Sequence, residues 1–357
     1  MNKNKLKIAV GLSGGVDSSV AAYLLKKRGH DVVGVHMQCW DQRGDGCAAD
    51  EDRADAAEVA GILGIKFEVL NFVDTYKNKV IKYFYSEYEK GRTPNPDVMC
   101  NKEIKFGLFL DWAVKAGFDY VATGHYAGIL NTTGDVGGIY KLLKGVDSSK
   151  DQSYFLYLLG QEQLSKTLFP VGDKTKKDVR SIAKEAGLPT HSKPDSVGIC
   201  FIGDIDVKEF LKQRLPQKEG NVVNSEGDII GKHDGAWFYT VGQRHGFSIN
   251  KYQGLPMYVI GKKIEKNELI VGFAKEAERA SFWVSDIHWI HTDLLRDHIS
   301  ISCDVRIRHL GDLYKAVVSN GGEHVKVALE APVFGVAPGQ SAVFYIGDEL
   351  VGGGIIK

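Results

Sequence analysis

Three observations predict an α/β protein: a doubly wound parallel sheet, then a small central β-rich domain and a C-terminal β-barrel. Apolar runs of strand length alternate with helical periodicity through the first half. The first such run ends in a glycine-serine loop, SGGVDSS, that opens a helix. From about Asn221 the helical periodicity fades, and short alternating segments with Gly-rich turns replace it. The domains are expected at 1–207, 208–275 and 276–357.

In order along the chain, LKIAVGL reads as a buried strand and SSVAAYLLKKR as a helix ended by Gly29. DVVGVHM is a second strand, EDRADAAEVAGIL a helix and IKFEVL a third strand. A helix is predicted over Thr75–Glu89. After the turn-rich GRTPNPD, another runs from about Asn101 to Ala116. DYVATGH is a further strand end. Strands alternating with helices imply a parallel sheet, whose ligands bind beyond the C-terminal strand ends. Ser13, Met37 and Gly124 all fall on that edge. In the second half GAWFYTV, MYVIGKKI and NELIVGF read as strands, followed by SFWVSDIHWI, ISISCDVRIRHL, LYKAVVS, HVKVALE, SAVFYIG and LVGGGII. No internal repeat or low-complexity segment is visible.

Bulk properties narrow the function. Lys+Arg and Asp+Glu are 45 each, so a polyanion partner has to be met by local patches. No apolar stretch approaches the ~20 residues of a membrane span, so no membrane partner is expected. The start, MNKNKLKIAV, runs straight into the loop and reads as a first strand rather than a leader. Five widely spaced cysteines (39, 47, 100, 200, 303) argue for a reducing cytoplasm and against a disulfide framework.

Gly14 and Gly15 permit a tight turn whose N–H groups, with the helix N-terminus, suit an anion. Ser13, Ser18 and Ser19 can donate to phosphate oxygens. Asp17 would repel phosphate unless it holds Mg²⁺. The Gly-Lys-Ser/Thr element of a Walker loop is missing. A plain helix cap is the competing explanation of the same residues.

TPNPDVMCNKEIKF places Cys100 just before the helix expected at Asn101, where a helix N-terminus lowers a thiol pKa. Asp97 lies close enough to exchange protons there. Cys200, in HSKPDSVGICFIGD between Gly198 and Gly203, also reads as core beside Ile199 and Phe201. His36, Cys39 and Cys47 fit no common zinc spacing, and Cys303 reads as barrel core.

SGGVDSS resembles the PP-loop of the ATP pyrophosphatase superfamily, whose adenine-nucleotide α-hydrolase-like members cleave ATP between the α and β phosphates. SGGVDSS, PNPDVMCN, ATGHYA, KDQSYFL, PDSVGICFI and FYTVGQRHG occur in that order. Together they resemble the tRNA-specific 2-thiouridylases over essentially the whole chain. The resemblance implies ATP-dependent adenylation of O2 of the wobble uridine, then sulfur transfer to C2 with release of AMP and pyrophosphate. It implies a persulfide on Cys200, assistance from Cys100 through a transient Cys100–Cys200 disulfide, and Asp97 as general acid/base. In an alternative order the sulfur is freed as hydrosulfide. Asn95 and Pro96 would flank the flipped base. ATP would contact Gly11, Leu12, Ser13, Gly14, Gly15, Val16, Asp17 and Ser18, with Met37 and Gly124 on the adenine side. His125, Lys150, Asp151 and Gln152 match tRNA-contacting positions, as do Arg308 and Gln340. His309 stands where the family usually has tyrosine. The implied partners are tRNAs reading Lys, Glu and Gln codons, and a sulfur-relay protein or cysteine desulfurase. Two thiolates and Asp97 also leave an iron–sulfur cluster open, though such clusters normally take more cysteines.

Residues 166–184 carry six basic and two acidic side chains. This is the best phosphate patch in the chain, or equally an ordinary solvated helix face. Two other classes fit the loop: a superfamily enzyme adding nitrogen to an adenylated substrate, and a tRNA-binding protein without chemistry. Neither needs both cysteines.

Overall fold

The computed structural model describes residues 5–40, 48–132, 138–195, 198–250, 254–296 and 298–357. β1 (Lys7–Gly11) is apolar and buried on both faces, as an interior parallel strand must be. It turns into α1 (Val16–Lys27), which ends in Lys26 and Lys27 before Gly29 at φ +89°. β2 (Asp31–Gln38), α2 (Ala48–Leu63) and β3 (Lys66–Asn71) follow. The helix expected over 75–89 is α3 (Val73–Tyr76), a π-helical stretch (Lys77–Ile81) and α4 (Lys82–Glu89). Next come α5 (Pro96–Cys100), a second π-helical stretch (Asn101–Leu108) and α6 (Phe109–Lys115), end to end.

β4 (Tyr120–Ala122) returns to the sheet. A hairpin of β5 (Ala127–Asn131) and β6 (Tyr140–Lys144) leaves it. α7 (Gln161–Ser165), β7 (Thr167–Leu168) and α8 (Lys176–Glu185) then complete the unit. The strand order is β3-β2-β1-β4-β7, with every pairing parallel. Successive side chains of β1 enter opposite layers. Ile8 and Val10 pack with Val20, Leu25, Val59 and Val179. Ala9 packs with Tyr76, Phe84, Ile104 and Phe109. Helices therefore cover both faces, as the α/β reading requires. The strand order reverses between β1 and β4, and that crevice is where such sheets bind ligands.

After α9 (Val207–Lys212), β8 (Gly220–Val223), β9 (Ile229–His233), β10 (Ser248–Ile249), β11 (Tyr258–Lys263) and β12 (Glu268–Gly272) form a separate sheet in the order β10-β9-β8-β12-β11. GAWFYTV is not one of its strands. Ala236–Phe238 is a short 3₁₀ turn, because its backbone N–H groups find side chains instead of a neighbouring strand. Gly235 N–H donates to His233 Nδ1 at 3.0 Å, and Ala236 N–H to Asn267 Oδ1 at 3.0 Å.

The remaining strands are β13 (Glu278–Trp289), β14 (Ser300–Arg306), β15 (Tyr314–Asn320), β16 (Val325–Phe334), β17 (Ser341–Ile346) and β18 (Glu349–Ile356). They run in the order β13-β16-β15-β14-β17-β18, and β13 pairs with β18, closing the barrel. Cys303 lies in its core. The β5–β6 hairpin adds to the outside of this sheet through Leu142 and Leu143, opposite Leu350 and Glu349. A piece of the first half of the chain thus belongs structurally to the barrel. Among the described residues no helix is long and apolar enough to cross a membrane.

Candidate active site

The glycine turn sits at the switch point after β1. Gly14 has φ +78°, and a Cβ there would stand 2.3 Å from the Asp52 carbonyl oxygen, so only glycine fits. Gly15 caps α1 without a side-chain hydrogen bond, which leaves the first N–H groups of the helix to an anion. Ser18 Oγ donates to the Gly15 carbonyl at 3.1 Å and lies 3.1 Å from Ser13 Oγ. Gly124, just after β4, lies against the turn so closely that a Cβ would meet Ser18 N at 2.6 Å. At Gly11 a Cβ would come within 2.9 Å of the Met37 methyl. Gly11 therefore packs on Met37, and Gly124 on the turn itself. An extended phosphate chain fits this donor set.

Asp17 does not face solvent freely. Lys176 Nζ, from the N-terminus of α8, bonds both of its carboxylate oxygens at 2.8 Å, and the Tyr126 hydroxyl donates to Oδ1 at 2.7 Å. Mg²⁺ on Asp17 requires Lys176 to let go. Lys176 is also 2.9 Å from Asp195, which binds Lys150 and Arg180 at 2.7 Å each. Burial disfavours ionised Asp195, but hydrogen bonds from Lys150 and Lys176 prevail and hold its carboxyl at about 2. The basic stretch 166–184 thus divides. Lys176 turns inward to Asp17 and Arg180 to Asp195 and the His191 carbonyl, while Lys166, Lys177 and Lys184 stay exposed. A lysine from α8 thus meets the loop at Asp17.

The sequence places a helix start at Asn101, and the structure corrects it. Asn95 is the N-cap, accepting from Val98 N–H at 3.3 Å, and Pro96 is the first helical residue. Cys100 is therefore inside the helical rod and fully buried. A helix N-terminus does not lower its thiol. Burial and the neighbouring Cys200 sulfur push it well up. Cys200 behaves oppositely. Its thiol is drawn down, first by the hydrogen bond from Cys100 and then, against burial, by the Lys105 ammonium.

Cys200 occupies the tip of a tight hairpin. Ile199 and Gly203 exchange backbone hydrogen bonds of 3.1 and 2.9 Å around Cys200, Phe201 and Ile202. Phe201 is held at φ +67°, an uncommon state for a bulky residue. Two residues hold the tip through three contacts. Asp97 Oδ1 accepts from the Cys200 N–H at 2.9 Å. The Tyr76 hydroxyl donates to the Cys200 carbonyl at 2.6 Å. The Phe201 ring meets Tyr76 edge-on with centroids 6.0 Å apart. Asp97 is raised by burial, partly countered by the Cys200 N–H and Lys105. A carboxyl raised and a thiol lowered are closer in proton affinity than either would be in water, which suits proton exchange.

Lys105, absent from the sequence-level candidates, joins the two halves of the site. Its ammonium stands 3.4 Å from His125 Nε2 and 5.8 Å from the centre of the Phe201 ring, and its charge is felt by the Cys200 thiol. An ammonium can only donate, so Nε2 accepts and Nδ1 carries the proton toward Thr123 Oγ1 at 2.6 Å. His125 follows Gly124 directly. The run therefore goes from glycine turn to Gly124, His125, Lys105 and the paired sulfurs. A signal for Lys105 existed: it is one helical turn and a residue beyond Cys100. A second missed neighbour is Cys39, buried in the same core layer as Cys100. Cys47 lies outside the described residues. Among the described residues no group of three or more His, Cys, Asp or Glu side chains is placed to hold a metal.

The residues expected at tRNA are placed unevenly. Arg308 is exposed. His309 lies on Phe155 with ring centroids 4.1 Å apart, and burial lowers it to about 4, so it is a neutral stacking ring. Lys150 is part-buried on Asp195, and Gln152 accepts from Tyr126 N–H at 3.0 Å. His125 is 6% exposed and forms a wall of the site. Asp151 departs most from a surface contact. It is 1% exposed, accepts from Gly145 and Ser153 N–H, and binds Arg306 of β14 at 2.6 Å. Its carboxylate is spent inside the molecule, tying the catalytic half to the barrel. Gln340 reaches from the barrel to the Thr93 and Pro94 carbonyls at 3.0 and 3.2 Å, steadying the turn before Cys100.

Comparison with known proteins covers nearly all of the chain. Residues 6–204 match the family described as tRNA methyl transferase HUP domain. Residues 208–273 match the tRNA methyl transferase PRC-barrel domain, and 279–356 the aminomethyltransferase beta-barrel domain. A tRNA-specific 2-thiouridylase MnmA of Streptococcus uberis is 46% identical over 99% of this chain and 96% of its own. That of Lysinibacillus sphaericus is 46% identical over 99% and 94%. That of Geobacillus thermodenitrificans is 46% identical over 100% and 96%.

Proposed function

The chain belongs to the family of tRNA-specific 2-thiouridylases, and from that membership we propose that it thiolates C2 of the wobble uridine in tRNA at the expense of ATP. The uracil carbonyl oxygen is a very poor leaving group. Adenylation of O2, with pyrophosphate departing into the glycine turn, converts it into AMP. Gly14, Gly15 and the α1 N-terminus supply the donors for the phosphates, and Lys176 supplies the cation. Mg²⁺, when bound at Asp17, would neutralise phosphate charge.

A persulfide on Cys200 then attacks C2 through its terminal sulfur, and AMP leaves with the C2–O2 bond electrons. The adduct is a Cys200–S–S–C2 disulfide. Cys100 attacks the Cys200 sulfur, forming the Cys100–Cys200 disulfide and releasing 2-thiouridine. A thiol reductant restores the pair. Free hydrosulfide, formed when Cys100 attacks the persulfide first, is the alternative order. Asp97 serves as the general acid/base beside the base. Asn95 and Pro96 sit at the start of the helix carrying Cys100 and would border the flipped uracil. The persulfide would come from a sulfur-relay protein or a cysteine desulfurase. Arg308, His309, Lys150 and Gln152 would contact the tRNA, with those for Lys, Glu and Gln the expected substrates. A reducing cytoplasm suits the free thiols.

The observation that carries this reading is the meeting of the two cysteine segments: Cys200, a hundred residues further along the chain, packs against the core layer that holds Cys100, and its N–H bonds Asp97 of the same helix at 2.9 Å. A nitrogen-adding enzyme or a non-catalytic tRNA binder has no use for it. The test is tRNA-dependent ATP–pyrophosphate exchange alongside mass spectrometry of tRNA nucleosides. Cys100→Ser and Cys200→Ser should each abolish 2-thiouridine while exchange survives in part. Thiolation persisting in both variants would remove the proposal.

A further inference from the structure

We propose that Lys105 is a catalytic residue whose ammonium keeps the sulfur of Cys200 anionic, both as the thiolate that receives sulfur and as the persulfide that delivers it. This rests on the sulfur-transfer reading above and deepens it.

The argument starts from placement. Lys105 is held in the π-helical stretch that follows Cys100 directly. A π-helical turn widens the helix and re-aims side chains, and such bulges recur at functional sites. Here it leaves the Lys105 ammonium 3.4 Å from His125 Nε2 and 5.8 Å from the centre of the ring of Phe201, the residue after Cys200, where its charge and the Cys200 sulfur act on each other. The long side chain is part-buried. A part-buried ammonium next to a sulfur has one strong electrostatic effect, to favour the charged sulfur.

The other groups facing the sulfur decide whether that effect is needed. Cys100 donates its S–H to Cys200 from the same helical rod. Asp97, on α5, opposes a negative sulfur. Cys39, after β2, and Tyr76, on α3, each present an acidic proton that burial holds in place. His125, after β4, is neutral, kept so by burial and then by Lys105 itself. Among the described residues Lys105 is therefore the cation in a ring otherwise made of neutral and anionic groups. Removing it leaves Asp97 and an ionised sulfur side by side in a poorly solvated site, and the sulfur, the weaker acid, would take up a proton.

The role is distinct from holding the hairpin. The hydrogen bonds that fix its tip run from the Cys200 backbone to Asp97 and Tyr76, and Lys105 meets the tip only through the Phe201 ring, a contact that arginine can also make. A charge effect and a positioning effect can therefore be separated by substitution.

The experiment measures the pH dependence of iodoacetamide alkylation of Cys200, read by peptide mass mapping in the full chain without tRNA or ATP. Wild type, Lys105→Met, Lys105→Gln and Lys105→Arg are compared. The wild-type midpoint should lie below that of an ordinary cysteine, about 8.5. Lys105→Met and Lys105→Gln should move it up by at least about one unit, slowing alkylation at pH 7 about tenfold. Lys105→Arg keeps the charge and should hold the midpoint near wild type. Thiolation of tRNA should fall in the first two variants and recover in part with arginine. An ordinary midpoint in the wild-type protein overturns the proposal without any variant having to fold. So does an unshifted midpoint in Lys105→Gln, which retains a donor but no charge. Because alkylation uses no tRNA, loss of the thiolation reading would leave this result standing, and the two failures are distinguishable.

Discussion

At the scale of single residues, the site works by uneven treatment of similar groups. Burial and the neighbouring Cys200 sulfur raise the Cys100 thiol, whereas Cys100 and then the Lys105 charge draw that of Cys200 down. Asp97 has the opposite problem. Its folded carboxyl keeps a proton to higher pH than the unfolded chain, whose value is about 3.9. Ionising it therefore destabilises the native state, and the penalty grows as pH rises from about 4 through the folded value. Asp97→Asn cannot ionise and retains an oxygen for the Cys200 N–H. Its denaturant midpoint should match wild type near pH 4 and exceed it at pH 7, while thiolation falls by about 10²–10⁴. A lower midpoint at pH 7 would show that the carboxylate stabilises the fold instead.

Elements are positioned by a few backbone states that side chains cannot imitate. The Cys200 hairpin begins at Gly198, φ +88°, where a Cβ would lie 2.0 Å from the Gly203 carbonyl oxygen. Gly198→Ala should displace the hairpin at a local cost of about 1–3 kcal/mol. It should abolish thiolation and change Cys200 alkylation, with little effect on ATP–pyrophosphate exchange, because the glycine turn rests on separate contacts. Gly14→Ala is the mirror case. It strikes the Asp52 backbone, so ATP binding by titration should be lost while Cys200 alkylation stays as in wild type. The helix carrying Cys100 teaches a sequence lesson. Asn95-Pro96 is an N-cap followed by a first-turn proline, a start signal five residues ahead of the expected one. The chemistry assigned to Cys100 from a helix N-terminus was legible but wrong. Its identity as a partner of Cys200 survives because packing, not the helix end, sets it.

On the scale of the whole molecule, the barrel does more than offer a surface. Asp151 and Arg306 form an ion pair with side-chain exposures of 1% and 8% across the junction. Arg306→Met would strand the Asp151 charge and should cost about 3–5 kcal/mol in denaturant unfolding. Adding Asp151→Asn, which keeps an acceptor for Gly145 and Ser153, should recover most of it. The turn before Cys100 is gripped from two sides. Thr93 Oγ1 meets Thr240, from the segment between β9 and β10, at 2.9 Å, and Gln340 of the barrel holds the Thr93 and Pro94 carbonyls. Gln340→Ala should lower kcat for thiolation several-fold with the KM for ATP unchanged, since the glycine turn lies outside this contact. An equal change in both would place Gln340 in nucleotide binding.

What the amino-acid order determined by itself was local: the glycine turn after β1, the alternation of strand and helix, the switch to short strands, and the two cysteine-bearing segments. Each depends on residues within one or two turns of one another, where periodicity and backbone freedom act directly. Tertiary structure alone decided which thiol is raised and which is lowered, where Asp151 is spent, and that Lys176 meets Asp17 of the loop. It also decided that the β5–β6 hairpin extends the barrel sheet. These outcomes come from burial and from charges brought together across more than a hundred residues of chain, and no local pattern records the environment a side chain meets after folding.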